Sequence, residues 1–94
     1  MNKIQHVHIR ISGLVQGVWF RAFVRKEATL LKLTGAVWNN PDGSVEVMAE
    51  GKTKSLESLI SSCRKGPPHA RVDSVFVTRG NVTGTYTSFC ILDS

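Results

Sequence analysis

A chain of 94 residues with 41% apolar side chains fills one modest core, so a single domain over residues 1–94 is expected. Twelve Lys and Arg against seven Asp and Glu give a formal charge of +5, which favours an anionic partner, either a phosphate-bearing metabolite or a nucleic acid. The apolar runs fall far short of the roughly 20 residues that cross a bilayer, and no basic leader precedes one, so a soluble cytoplasmic protein without membrane contact is expected.

His6 to Ser12 alternates, with Val7, Ile9 and Ile11 on one side and His6, His8 and Arg10 on the other, the period of a half-buried strand. Gly13 and Gly17 bracket a loop. Phe20, Phe23, Val24, Ala28 and Leu31 then recur near helical spacing, which predicts a first helix over Phe20 to Leu33, ended by Gly35. Ala36 to Asn39 and Ser44 to Glu50 read as a hairpin around the turn Asn40-Pro41-Asp42-Gly43.

Leu56, Leu59, Ile60 and Cys63 stand at i, i+3, i+4 and i+7, a second helix with Thr53 or Ser55 as N-cap and Gly66-Pro67-Pro68 as its stop. Arg71 to Thr78 alternates through Val75 and Val77. Gly80 to Gly84 is turn-rich, and Thr85 to Leu92, with Tyr86, Phe89 and Ile91, is strand-like, so these segments form one long or two short strands. Strand, helix, strand, strand, helix, strand is the order of an α+β, ferredoxin-like split βαβ sandwich, an antiparallel sheet with two helices packed on one face.

The stretch from Gly13 to Arg21 carries the most chemistry, because it runs from a strand through a two-glycine loop into a helix start. Unpaired N–H groups of a first helical turn present partial positive charge to an anion, and glycine lets the backbone approach it. Arg21 stands where the helix dipole disfavours a cation. A bound phosphate gripped by the guanidinium accounts for that placement, and a solvated or carboxylate-paired loop arginine is the other reading.

Ile-Ser-Gly-Leu-Val-Gln-Gly-Val-Trp-Phe-Arg, residues 11 to 21, resembles the first signature of the acylphosphatase family at every fixed position. Gly35, Val37, Asn39, Gly43, Val45 and Gly51 fall in the places of the family's second signature. Ala36, where the family is usually aromatic, and Trp38, where it is usually long and polar, depart from the pattern. The two signatures cover the first half of the chain; the second half agrees in length and in the order of its elements.

The resemblance implies an acylphosphatase, an enzyme that hydrolyses acyl phosphates to carboxylate and inorganic phosphate. It implies that Arg21 binds the phosphoryl group with backbone amides of the loop Val15, Gln16, Gly17, Val18, Trp19 and Phe20, and that Asn39 orients the attacking water. An asparagine suits that role because it accepts a hydrogen bond from water and is no strong base. The carboxylate leaving group needs little acid help, so positioning and charge stabilisation suffice, and neither metal nor cofactor is implied.

Other candidates read more plainly. His6 and His8 share a strand face but have no third ligand in view, Asn40, Asp42 and Gly43 are accounted for by a tight turn, and His69 lies in a loop. Cys63 and Cys90 read as ordinary buried thiols. Phe20 is in phase with the helical core stripe, which leaves Trp19 as a rim of the site. The basic residues Lys26, Lys32, Lys52, Lys54, Arg64 and Lys65 scatter over both helices, and Ser44 to Glu50 has no aromatic for base stacking and two acids, so a small-molecule partner is expected and not nucleic acid. A monomer is the simplest expectation.

Overall fold

The computed structural model describes residues 3–92. Alternation decides the first strand: β1 (Ile4–Leu14) turns Val7, Ile9 and Ile11 inward, fully buried, and leaves His6, His8 and Arg10 on the opposite face. In α1 (Phe20–Leu30) the residues Phe20, Val24 and Ala28 form the buried stripe. β2 (Thr34–Asn39) and β3 (Val45–Lys52) pair as the expected hairpin, and α2 (Thr53–Lys65) buries Leu56, Leu59, Ile60 and Cys63. β4 (Arg71–Gly80) and β5 (Phe89–Ile91) complete the chain order.

The sheet runs β4-β1-β3-β2-β5, and both helices pack on the face that carries Val7, Ile9, Ile11, Val37, Val45 and Val47. This is the expected α+β, ferredoxin-like arrangement with one correction. Four strands are antiparallel, but β5 runs parallel to β2, with Gly35 opposite Phe89 and Val37 opposite Ile91. The segment after β4 crosses from one edge of the sheet to the other without changing ends, so β5 leaves that end antiparallel to β4 and parallel to β2. The strand-like stretch from Thr85 therefore pairs only at residues 89–91.

That crossing is fastened by Glu50, a buried carboxylate at the end of β3. It accepts from the backbone N–H of Thr83 (2.7 Å) and Gly84 (3.0 Å), from the Thr83 hydroxyl (3.1 Å), and pairs with His6 Nδ1 (2.6 Å). Burial alone would raise its pKa; the Thr83 N–H, His6, the Gly84 N–H and the Thr83 hydroxyl together hold it down at about 2.

The first helix stops earlier than periodicity suggests, at Leu30 and not Leu33. Lys32 turns into the left-handed region (φ 60°), its N–H donates to Thr29 O (3.1 Å), and Leu33 N–H donates to Ala28 O (2.9 Å). This is a Schellman ending with lysine where glycine is usual. Lys32→Gly should therefore raise stability by roughly 0.5 kcal/mol, the left-handed penalty removed less the added freedom of the unfolded chain. A urea midpoint that stays put or falls would show that the lysine stem packs usefully.

Gly35 belongs to β2 and does not end α1. A Cβ there would lie 1.8 Å from the backbone oxygen of Met48, with φ at 146°, so the close pairing of β2 with β3 explains this glycine. At α2 the expected cap is also displaced. Lys52 precedes the helix without a side-chain cap, and Thr53 is its first residue, its N–H donating to Lys3 O (3.3 Å). Both cysteines are free thiols: Cys63 is buried, with its pKa pushed up to about 12 by burial and then by Glu27, whereas Cys90 is half-buried.

Candidate active site

The loop between β1 and α1 has to reverse direction within five residues, and it does so through two left-handed positions, Gly17 (φ 73°) and Trp19 (φ 67°). Trp19 is the residue before α1, and no side chain caps that helix. Phe23 N–H makes the first bond back, to Trp19 O (3.0 Å), so the first turn of α1 presents its backbone N–H groups at the helix end. With no acid in the first turn, this end keeps its partial positive charge.

A cleft of about 400 Å³ opens at that helix end, lined by Val15, Gly17, Trp19, Phe20, Arg21, Ala22, Asn39 and Ile91. Fold geometry makes the assembly: β1 delivers the loop, α1 begins with Arg21 in its first turn, and Asn39 is the last residue of β2, which lies beyond β3 in the sheet and against α1. The Oδ1 of Asn39 is buried without a hydrogen-bond partner among the described residues. An unpaired buried acceptor costs about 1–3 kcal/mol, which a water or ligand donor in the cleft would recover. Trp19, 81% exposed, stands at the rim.

Of the residues expected at the site, Arg21, Asn39, Val15, Gly17, Trp19 and Phe20 line this cleft. The side chains of Gln16 and Val18 turn elsewhere. Val18 packs against the core, and the Gln16 carboxamide turns to the hairpin, donating to Asn40 O (2.7 Å) and Ser44 O (3.0 Å). Those carbonyls frame the turn that follows Asn39, so Gln16 ties the loop to the strand that carries Asn39.

The turn itself is densely bonded, as its composition predicts. Asn40 N–H donates to Ser44 O (2.9 Å), Gly43 N–H to Asn40 O (3.1 Å), and the Asn40 carboxamide to Ser44 Oγ (2.9 Å) and Glu46 (2.7 Å). Asp42 accepts from the Ser44 hydroxyl (2.7 Å) and N–H (2.9 Å), which lower its pKa, and pairs with Arg10. His6 is occupied with Glu50 and His8 with Glu46. Among the described residues no group of three His, Cys, Asp or Glu side chains is placed to hold a metal ion, and no helix is long and apolar enough to cross a membrane.

Ala22 and Ile91 are the two lining residues that sequence reasoning missed. Ala22 adjoins Arg21, and its place in the first turn was there to be read. Ile91 reaches the cleft only because β5 lies beside β2, a parallel pairing without a local signal.

The acylphosphatase family model matches residues 7–91. The chain is 47% identical over 89 residues to an acylphosphatase of Methylococcus capsulatus, covering 95% of this chain and 97% of that protein. The crystal structure of acylphosphatase from Bacillus subtilis superposes with a TM-score of 0.89 at 38% identity, covering 96% of this chain and 99% of that one. An acylphosphatase from Coxiella burnetii gives a TM-score of 0.91 at 40% identity, covering 97% and 94%.

Proposed function

Given that the chain belongs to the acylphosphatase family, whose reaction is hydrolysis of acyl phosphates, we propose that Arg21 and the N–H groups of residues 15–20 hold the phosphoryl group while Asn39 orients the attacking water. The observation that carries this reading is that Asn39, whose buried Oδ1 has no hydrogen-bond partner among the described residues, lines the same cleft as Arg21.

In this mechanism the guanidinium and the uncapped amides of α1 neutralise charge on the phosphoryl oxygens as the P–O bond to the carboxylate lengthens. Water attacks that phosphorus from the opposite side and forms the new P–O bond, held by the hydrogen bond it donates to Asn39 Oδ1. The carboxylate departs as an anion, and the protons of the water leave with inorganic phosphate. A carboxamide cannot take a proton at neutral pH, so Asn39 contributes orientation and not base catalysis.

We read the protein further as a cytoplasmic monomer acting on a small-molecule acyl phosphate and not on nucleic acid, in one domain over residues 1–94. Support for a small-molecule partner comes from the open sheet face, where Glu50, Glu46 and Asp42 lie against His6, His8 and Arg10 and place carboxylates where a nucleic acid would need cations.

Phosphate release from benzoyl phosphate, with chelator present, tests the assignment of Asn39. Asn39→Ala should lower kcat by about 10²-fold, on the order of one preorganised hydrogen bond, while inorganic phosphate still inhibits at its native concentration. Native kcat in the variant would remove Asn39 from the reaction, and loss of all activity to chelator would overturn the metal-free mechanism.

A further inference from the structure

Along the outer side of α1 a second depression, of about 380 Å³, adjoins the catalytic cleft; Ala22 and Ile91 line both. Its other walls are Arg25, Lys26, Thr29 and Leu30, the last an apolar side chain 69% exposed. Among the described residues, every charged side chain that lines the two depressions is a cation: Arg21 in the first, Arg25 and Lys26 in the second. The hydrolysis proposed above uses Arg21 alone. Arg25 follows one turn later on the same face, about 6 Å along the helix axis.

We infer that this joined groove selects acyl phosphates whose acyl group bears a second anionic group, with the phosphoryl end at Arg21 and the far anion beside Arg25 and Lys26. The inference rests on the reading of the cleft as the site of acyl phosphate hydrolysis. The acyl group leaves the phosphorus in the direction opposite to the incoming water, and the saddle of Ala22 and Ile91 gives its methylenes an apolar floor. From phosphorus to far carboxylate, succinoyl phosphate covers about one helical turn, so it places a carboxylate near the Arg25 guanidinium, which can take it bidentately.

The test compares kcat/KM for succinoyl phosphate and for butanoyl phosphate, which has the same chain length without the far charge, at low ionic strength where exposed charges are least screened. Native protein should favour succinoyl phosphate by about fivefold, the scale of exposed charge pairs. Arg25→Gln with Lys26→Gln should bring that ratio near one and leave butanoyl phosphate hydrolysis unchanged. Lys52→Gln with Lys54→Gln removes the same charge at the start of α2 and should keep the ratio, which separates a local contact from general attraction of anions. A native ratio of one, a ratio that survives the Arg25 and Lys26 changes, or an equal fall in the control variant would overturn the inference. A folded native protein that hydrolyses neither compound overturns the hydrolysis reading instead.

Discussion

Arg21→Ala is expected to lower kcat/KM for benzoyl phosphate by about 10³-fold, about 4 kcal/mol of transition-state stabilisation, with the protein still folded. Arg21 lies in the first turn of a helix that has no acid in that turn and no side-chain cap, so the surroundings are arranged for negative charge. Removing the guanidinium leaves the amides of residues 15–20 as donors, which is why the loss falls short of complete inactivation. Arg21→Lys should recover only part of it, because an ammonium offers a point charge where the planar fork can hold two phosphoryl oxygens. Binding gives a second readout: inorganic phosphate should raise the native melting temperature and leave that of Arg21→Ala nearly unmoved. Native kcat/KM in Arg21→Ala would sink the assignment. Unlike Asn39→Ala, this variant should lose affinity and rate together.

Glu50→Gln is expected to cost about 2 kcal/mol at pH 7, a large share of the total for a domain of this size, and to lower the melting temperature by about 8–16 °C. The carboxylate, buried and holding two backbone N–H groups and a hydroxyl of the crossing segment, is ionised in the fold down to about pH 2, against 4.5 for the free side chain. Its folded pKa is depressed, so its stabilisation is fully present above pH 4.5 and is lost as pH falls from there toward 2. The native urea midpoint should therefore drop between pH 5 and pH 3 more steeply than that of Glu50→Gln, and the two curves should converge in acid. Parallel curves, or equal midpoints at pH 7, would show that the segment is fastened by something else.

Much of the fold is legible because its elements bury one face each. Val7, Ile9 and Ile11 announce β1, and Leu56, Leu59, Ile60 and Cys63 announce α2, since periods of 2 and 3.6 are what those faces impose. Where reading failed, a tertiary contact had replaced the local signal. Lys32 carries no mark of a left-handed helix end, and Gly35, which looks like one, answers to the Met48 carbonyl across the hairpin. Thr53 and Ser55 both look like caps, but the helix already begins at Thr53, whose N–H donates to Lys3 O, and Lys52 takes the cap position. The stretch from Thr85 has strand composition along its length, yet Glu50 draws in Thr83 and Gly84 and leaves only residues 89–91 to pair.

The site divides in the same way. A two-glycine loop running into an arginine points to an anion on physical grounds, and the family signature adds Asn39 across the sheet. The division of labour inside the loop is not legible. Gln16 lies between two residues that face the cleft, and only the folded hairpin shows that its carboxamide spans to Asn40 O and Ser44 O. Ile91 is separated from Arg21 by most of the chain, and nothing in its neighbourhood announces that it walls the same space.

The position of β5 sets an order of events during synthesis. A ribosome delivers Arg21 and Asn39 early, and in the absence of residues 89–91 the outer edge of β2 would stand open, an unpaired row of backbone donors and acceptors on Gly35, Ala36 and Val37. The strand that closes this edge follows the other four described strands in chain order and also supplies Ile91 to the cleft. A single late step thus both shields the nascent chain from pairing with its neighbours and finishes the wall of the site.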